Sequence, residues 1–557
     1  MDSEYTRPSL HFTTASWIDD PCTPGYDPAT GLYHLFYQCN PPGKEWESMS
    51  WSHITSKDLI FWTSSTGPAL ILGEPYDCDG VFTGCMVSPN RNQRSLKAIY
   101  SSVRHLPFHR STPPYPRNTA GLAMAESTDG GKTWMKYSGN PILLGEPDDV
   151  QVTGFRDPFL AEWPVLHHLR GHDCLYDLVA GGTQGHGPTA FLYSPSQKWP
   201  GNFGVNWECV NLPTLKSKSD TRMCLILGAE GDVERCHIQN FESRPHIPPR
   251  TTRSLLWMFG NLRMEGKLVC LDYTHGGYLE CGSLYAANSF VDRATERNIM
   301  HAWVPEENIT ASYAKSKEWN GAIAIPREVF LLSIPNVARA LRSPLADIES
   351  VESVLDRDGS STIHTLGVRP VQEINRQHSS GNHVCQERDV SVHSSTVGEN
   401  LTLCWTSFPS WELEATVALD GMRCREFGFH IRHNSDMSIC TTVTFSLQQE
   451  QISVNKEKST YHEDVRNCPE AGPFTLFYFS DRTGAEPQEV LETLRIRIIS
   501  DADVLEVFAN GRFALGTTVY SPRYSRPTGI SAFSIGEQGC ASIEGVDVWD
   551  RLFVSQE

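Results

Sequence analysis

The chain has 557 residues, 39% hydrophobic and 20% charged, an ordinary globular composition with length for two or more domains. Its formal charge of −19 argues against nucleic acid or an anionic membrane surface as partner, since both call for basic patches. A neutral substrate such as a sugar stays open, and no apolar run is long enough to cross a membrane.

The opening residues, MDSEYTRPSL, lack the basic start and apolar stretch of a secretory leader. An intracellular protein with mostly reduced thiols is therefore expected. A secreted form whose leader has been removed is the alternative, supported by glycosylation triplets at Asn308 and Asn400. The sixteen Cys and twenty His follow no metal-ligand spacing, so no metal and no cofactor are expected.

Residues 16–41, SWIDDPCTPGYDPATGLYHLFYQCNP, set Asp19 beside Asp20 just ahead of a strand that begins near Tyr33. Adjacent carboxylates repel, so the pair needs a reason. Short β-type runs broken by Gly, Pro, Asn and Asp follow, which predicts an all-β chain. A Ser, turn, Trp pattern recurs in SKDLIFW ending at Trp62, STDGGKTW ending at Trp134 and SPSQKWPGNFGVNW ending at Trp207. It reads as one hairpin repeated in successive four-stranded units.

A second landmark runs ahead of each unit. Asp20 stands 13 positions before Tyr33, Thr83 13 before Leu96 and Glu242 13 before Leu255, while Asp157 stands 19 before Tyr176. Repeated four-stranded sheets around a channel make a β-propeller, whose innermost strands would bring these residues to one axial funnel. The propeller is expected over 1–335. NVARALRSPLADIESVESVL, at 336–355, has helical spacing and predicts a helical linker over 336–362. Strand-type runs resume over 363–557, with Asn510-Gly511 marking a hairpin, and predict a β-sandwich.

WIDDP (17–21), YQCNP (37–41), WSHITSKDLIFW (51–62), FRDP (155–158), NFES (240–243), EWNGAIAIPRE (318–328) and LEVFANGRFAL (505–515) together resemble glycoside hydrolase family 32. This is the family of invertases, inulinases and fructosyltransferases, and the segments occur here in its order. The resemblance implies a five-bladed propeller followed by a sandwich, the latter bracing the propeller or forming the contact of a homodimer. It implies Asp20 as nucleophile, Asp157 as transition-state stabiliser and Glu242 as general acid/base. Retaining cleavage needs an ionised carboxylate and a protonated one ~5–5.5 Å apart.

Glu208, in WECVNL, is the alternative acid/base, because the family has Glu-Cys there. The hairpin pattern, however, puts Glu208 after Trp207 on an outer strand, whereas Glu242 shares the offset of Asp20 and Thr83. The family pattern begins Trp-Met-Asn-Asp-Pro-Asn-Gly, so Asp19 replaces an Asn, and Cys22 and Thr23 replace Asn and Gly. An amide donates a hydrogen bond; an ionised Asp only accepts. Asp19, Gln38, Trp46, Thr83, His109, Arg156 and Tyr285 fall where the family holds the sugar. The implied activity is a β-fructofuranosidase cleaving sucrose and passing fructose to water or to another sucrose. An inulin- or fructan-cleaving hydrolase and a non-catalytic sugar-binding propeller are the alternatives.

Overall fold

Short apolar strands bury their faces only when stacked, and here they form seven antiparallel sheets among the described residues. The computed structural model describes residues 7–40, 48–87, 95–106, 115–170, 175–184, 187–191, 204–217, 220–231, 253–265, 268–317, 319–357, 359–392, 400–481, 488–522 and 527–552. The first sheet comprises β1 (Ile18–Asp27), β2 (Leu32–Cys39), β3 (Ser50–Ser56) and β4 (Trp62–Ser64). The second comprises β5 (Gly80–Val87), β6 (Leu96–Val103), β7 (Ala120–Ser127) and β8 (Met135–Lys136). The third shows β9 (Val152–Ala161), β10 (Tyr176–Thr183) and β11 (Gly187–Ala190).

The fourth runs β12 (Asn206–Asn211), β14 (Thr221–Glu230), β15 (Arg253–Glu265) and β16 (Leu268–Glu280), with the short β13 (Thr214–Lys216) also on β14. The fifth contains β17 (Tyr285–Asp292), β18 (Arg297–Val304), β19 (Ala322–Ile323), β20 (Arg327–Ala340), β21 (Glu352–Leu355) and β22 (Ser361–Pro370). The first strands β1, β5, β9, β12 and β17 each pack on the next, and β17 returns to β1. That closed ring is a five-bladed propeller. The N-terminal segment fastens it: Ile323 N donates to Phe12 O at 2.9 Å and Ile18 N to Asn320 O at 2.9 Å.

The repeated hairpin is real in the first two blades. Asp58 accepts from the amides of Ile60 and Phe61, and Asp129 from those of Lys132 and Thr133. In both, the Ser two positions earlier donates to that Asp, at 3.2 and 2.8 Å. The third instance fails. Trp207 lies on β12, the first strand of the fourth blade, and not on a blade's outer edge. Its segment lacks the Asp that closes the turn in the other two.

The expected helix at 336–355 is absent. Residues 336–340 continue β20, Leu345–Asp347 form one 3-10 turn, and Glu352–Leu355 are β21. Asn336, at φ +62°, bulges β20, and beyond the bulge Val337 and Ala340 are buried against a strand at Phe477–Asp481. Pairing on both sides overrides a weak helical propensity. The propeller also extends further than expected, because β22 pairs with β20.

Two six-stranded sheets, beginning at Asn382, pack face to face around Phe427, Phe429, Phe445, Ile498 and Val507. The Asn-Gly signal holds: Asn510 at φ +46° and Gly511 at φ +65° join two paired strands. One hydrophobic cluster runs through the junction, from Leu10, Trp303 and Trp319 to Val504 and Phe508. Buried ions cross it too. His11 Nδ1 lies 2.9 Å from Asp501 Oδ2, and its Nε2 3.1 Å from Glu506 Oε1. Asp501 also accepts from the amides of Ser9, Leu10 and His11 at 2.7–3.0 Å. Arg327 Nε reaches Glu280 at 2.6 Å and its Nη2 reaches Glu506 at 3.3 Å.

Burial alone would lower the pKa of His11, but Asp501 and Glu506 outweigh it and raise it to about 9. A folded pKa above the unfolded value gives stability that is complete below about pH 6.5 and lost as pH rises through about 9. The melting temperature of the wild type should therefore fall across that window, and His11→Asn should flatten the decline. Thermal scans at a series of pH values check this; parallel curves for the two proteins would mean that His11 is neutral in the fold.

Candidate active site

The first strand of each blade carries a bulge where it faces the axial channel. On β1, Asp19 and Asp20 together oppose Gln38; on β5, Thr83 is the extra residue; on β9 it is Asp157. On β12 the irregularity spans Cys209 and Val210, next to Glu208, and on β17 it spans Ala286 and Ala287, next to Tyr285. Bulges re-aim side chains, and five at the ring's centre turn them into one funnel. Asp157 at φ +60°, Cys209 at +48° and Ala286 at +51° hold left-handed backbone, uncommon outside glycine.

The acids meet through short contacts. Asp20 Oδ2 accepts from Thr83 Oγ1 at 2.5 Å, Gln38 Nε2 at 3.4 Å and Cys209 Sγ at 3.7 Å. Gln38 Nε2 also donates to Thr83 Oγ1 at 2.8 Å, so the two act as a relay onto the carboxylate. Asp157 Oδ2 accepts from Cys209 N at 3.1 Å, while Asp157 N donates to Ser101 Oγ at 2.7 Å. Glu208 Oε1 is gripped by Arg156 Nη2, and its Oε2 accepts from Tyr285 Oη at 2.8 Å. Gly228, opposite Glu208 in the ladder, leaves room for that ring; a Cβ there would lie 2.8 Å from Tyr285 Oη.

Two guanidiniums, Arg156 buried and Arg253 half-buried, offset the negative charge. Arg156 faces Asp157 at 3.9 Å and Glu230 at 3.8 Å besides Glu208. Arg253 Nη1 lies 3.0 Å from Glu307, with its plane over the rings of Tyr285 and Trp303 at 5.0 and 5.9 Å. Even so, burial raises Asp157 to about 7; Arg156 pulls it down and Glu208 and Asp20 push it up. Asp19 is held well above the carboxylate range by burial first and by Asp20 second. The funnel thus offers carboxyl groups in different environments beside fixed donors, the equipment for acid and nucleophilic chemistry on a hydroxylated substrate.

Of the residues singled out in the sequence, Asp19, Asp20, Gln38, Thr83, Arg156, Asp157 and Tyr285 come together here. Trp46, His109 and Glu242 lie outside the described residues. The spacing that favoured Glu242 does not hold, because Leu255 belongs to β15, the third strand of its blade. Glu208 stands 13 positions before Thr221, where the second strand β14 begins, and is on an innermost strand rather than an outer one. Sequence reasoning missed Cys209, Glu230, Arg253 and Glu307. The 13-residue offset, applied to the right strand, would have pointed to Glu208 and its neighbour Cys209; Arg253 and Glu307 left no signal. The buried Asn308 amide donates to Thr518 Oγ1 at 3.2 Å, so the first glycosylation triplet is spent inside the fold.

Comparison with known proteins agrees with this layout. The model of the Glycosyl hydrolases family 32 N-terminal domain matches residues 11–340, and that of the family 32 C terminal matches residues 373–550. A fructan 6-exohydrolase of Beta vulgaris is 28% identical over 371 residues, which are 62% of this chain; the chain spans 56% of that relative's length. The structure of Aspergillus kawachii β-fructofuranosidase complexed with glycerol is 26% identical, with a TM-score of 0.84 over 99% of this chain and 95% of that one. The fructosyltransferase of A. japonicus, 23% identical, superposes with a TM-score of 0.85 over 99% and 95% of the two chains, which speaks to the fold alone.

Removing Arg156 should expose how much the funnel depends on it. Arg156→Met leaves Asp157, Glu208 and Glu230 without their shared cation and should cost about 3–5 kcal/mol near neutral pH. The deficit should shrink in acid, where the carboxylates take up protons. Urea unfolding at two pH values checks this; an equal deficit at both would mean that Arg156 matters for its shape and not its charge.

Proposed function

The chain belongs to glycosyl hydrolase family 32, and on that premise we propose that it is a retaining β-fructofuranosidase acting on sucrose. Asp20 is the nucleophile, Glu208 the general acid/base and Asp157 the stabiliser of the fructosyl unit. The observation that carries this reading is the convergence of Asp20, Asp157 and Glu208 on bulged innermost strands, with Arg156 linking Asp157 to Glu208 and Cys209 lying between Asp157 and Asp20.

In the first step an Asp20 oxygen bonds to the anomeric carbon of fructose as the bond to the glucosyl oxygen breaks. Glu208 gives its proton to that oxygen, and glucose leaves. In the second step Glu208 takes a proton from an incoming hydroxyl, which attacks the anomeric carbon and releases Asp20. If the hydroxyl is water, fructose is set free; if it is a sucrose hydroxyl, a fructooligosaccharide forms. Thr83 and Gln38 orient the nucleophile, since their hydrogen bonds converge on one Asp20 oxygen. Arg156 and the Tyr285 hydroxyl hold one Glu208 oxygen each, which fixes the plane of the acid. Asp157, turned inward by its positive φ and pinned through Ser101, faces the same space with its carboxyl and accepts from sugar hydroxyls.

Glucose and fructose, measured separately over time at low and very high sucrose, test the substrate and the acceptor together. Equal release at both concentrations means hydrolysis, and glucose in excess of fructose means transfer to sugar. No release of either would send the substrate to longer fructans, and inertness toward those too would leave a sugar-binding propeller. Glu208→Gln should lower turnover by about 10²–10⁴-fold. Glu242→Gln is the comparison, and a larger loss there would return the acid/base role to Glu242.

A further inference from the structure

Asp19 and Asp20 are both acids, yet they are treated differently. Three donors reach Asp20 Oδ2: the Thr83 hydroxyl, the Gln38 amide and the Cys209 thiol. Asp19, only 7% exposed, leaves its Oδ1 buried with no hydrogen-bond partner among the described residues. It shares the β1 bulge with Asp20, the two residues together opposing Gln38, so the two carboxyl groups sit side by side and act on one another. Two carboxyl groups can share a hydrogen bond only if one keeps a proton. Donors crowd Asp20 Oδ2 while no described residue donates to Asp19 Oδ1, so a proton shared by the pair belongs on Asp19.

We propose that Asp19 works as a neutral carboxylic acid that donates its proton to the Asp20 carboxylate, a positioning residue that supplies the donor an Asn amide would otherwise provide. The proposal rests on the reading of Asp20 as the nucleophile. Arg253 from β15 and Glu307 from the segment after β18 also face Asp19, and Cys22 lies near it on its own strand. Arg253 favours the ionised form, but its guanidinium is engaged by Glu307 at 3.0 Å. Burial and the Asp20 charge act the other way and hold Asp19 well above the carboxylate range. When Asp19 finally ionises, Asp20 loses a donor and gains a repelling neighbour. The nucleophile's alignment is thereby tied to pH by a group that an Asn could not provide.

Asp19→Asn tests this with two readouts on the full chain. An acid whose folded pKa lies above its unfolded value of about 3.9 loses stability as pH rises between the two values. Asn has no such loss, so the lead in melting temperature of D19N over wild type should widen by a few degrees as pH rises above about 4. A constant difference would overturn the proposal.

The second readout is turnover of p-nitrophenyl β-D-fructofuranoside, whose leaving group needs no proton and so removes the general acid from the alkaline limb. Wild-type kcat should fall on that limb by tenfold or more, D19N should move the limb to higher pH, and Asp19→Ala should lower kcat at every pH. A limb unmoved in D19N would also overturn the proposal. Should wild type turn over no fructoside at all, the nucleophile reading fails by itself, and the unfolding curves alone decide the state of Asp19. Asp19→Ser, a smaller neutral donor, takes the place of D19N if that variant does not fold.

Discussion

Everything at the centre of this protein depends on two guanidiniums, one buried and one half-buried, among crowded carboxylates. Asp19, Asp20, Asp157, Glu208, Glu230 and Glu307 line or flank one funnel with Arg156 and Arg253 among them. Two carboxylates ~4 Å apart repel by about 4 kcal/mol at an effective dielectric of ~20. So many cannot all stay ionised beside two cations. The structure resolves this by unequal treatment: Asp20 collects donors, Glu208 collects a cation and a phenol, and Asp19 keeps one buried oxygen that no described residue reaches with a hydrogen bond. Chemistry that needs a nucleophile and an acid from the same residue type starts from such inequality.

The fold maintains it by geometry. Each blade contributes its first strand, and a bulge on each turns selected side chains toward the axis. Bulged, left-handed residues cost free energy unless their surroundings hold them. Asp157 is held by Ser101 from the second blade and by the Cys209 amide from the fourth. The strain of one blade is thus fixed by its neighbours, and the site exists only when the ring is closed.

Ring closure in turn leads to the sandwich. The N-terminal segment that joins the first blade to the fifth is anchored at Ser9, Leu10 and His11 by one carboxylate, Asp501. His11 bridges Asp501 to Glu506, Arg327 joins Glu506 to Glu280 of the fourth blade, and all of these side chains are fully buried. Two separately packed β units are held in one arrangement by ions that tolerate no slippage, since any lost partner leaves a buried charge exposed to low dielectric. The sandwich is therefore tied by buried ions to the segment that closes the propeller.

The local signals in the sequence were physical and sufficient where one element settled the matter. Alternating apolar runs, Ser–Asp turns at 56–58 and 127–129, and Asn510-Gly511 gave strands and hairpins, because turn chemistry acts over a few residues. The motifs around Asp20 and Asp157, at fixed distances from their second strands, marked those two acids as funnel residues. What failed needed a partner far away in the chain. Residues 336–340 carry a helical pattern but are strand, because β22 on one side and Phe477–Asp481 on the other supply ladder hydrogen bonds that an isolated segment cannot show. Glu208 ranks second in the sequence because Trp207 resembles an outer-strand Trp, and only sheet pairing reveals which strand faces the axis. By itself, then, the sequence determined the strands, the family and the acidic character of the site, all consequences of local pattern. The tertiary structure decided which acids share a cation, which acid is crowded with donors and which strands are innermost, because those depend on distances that no spacing along the chain encodes.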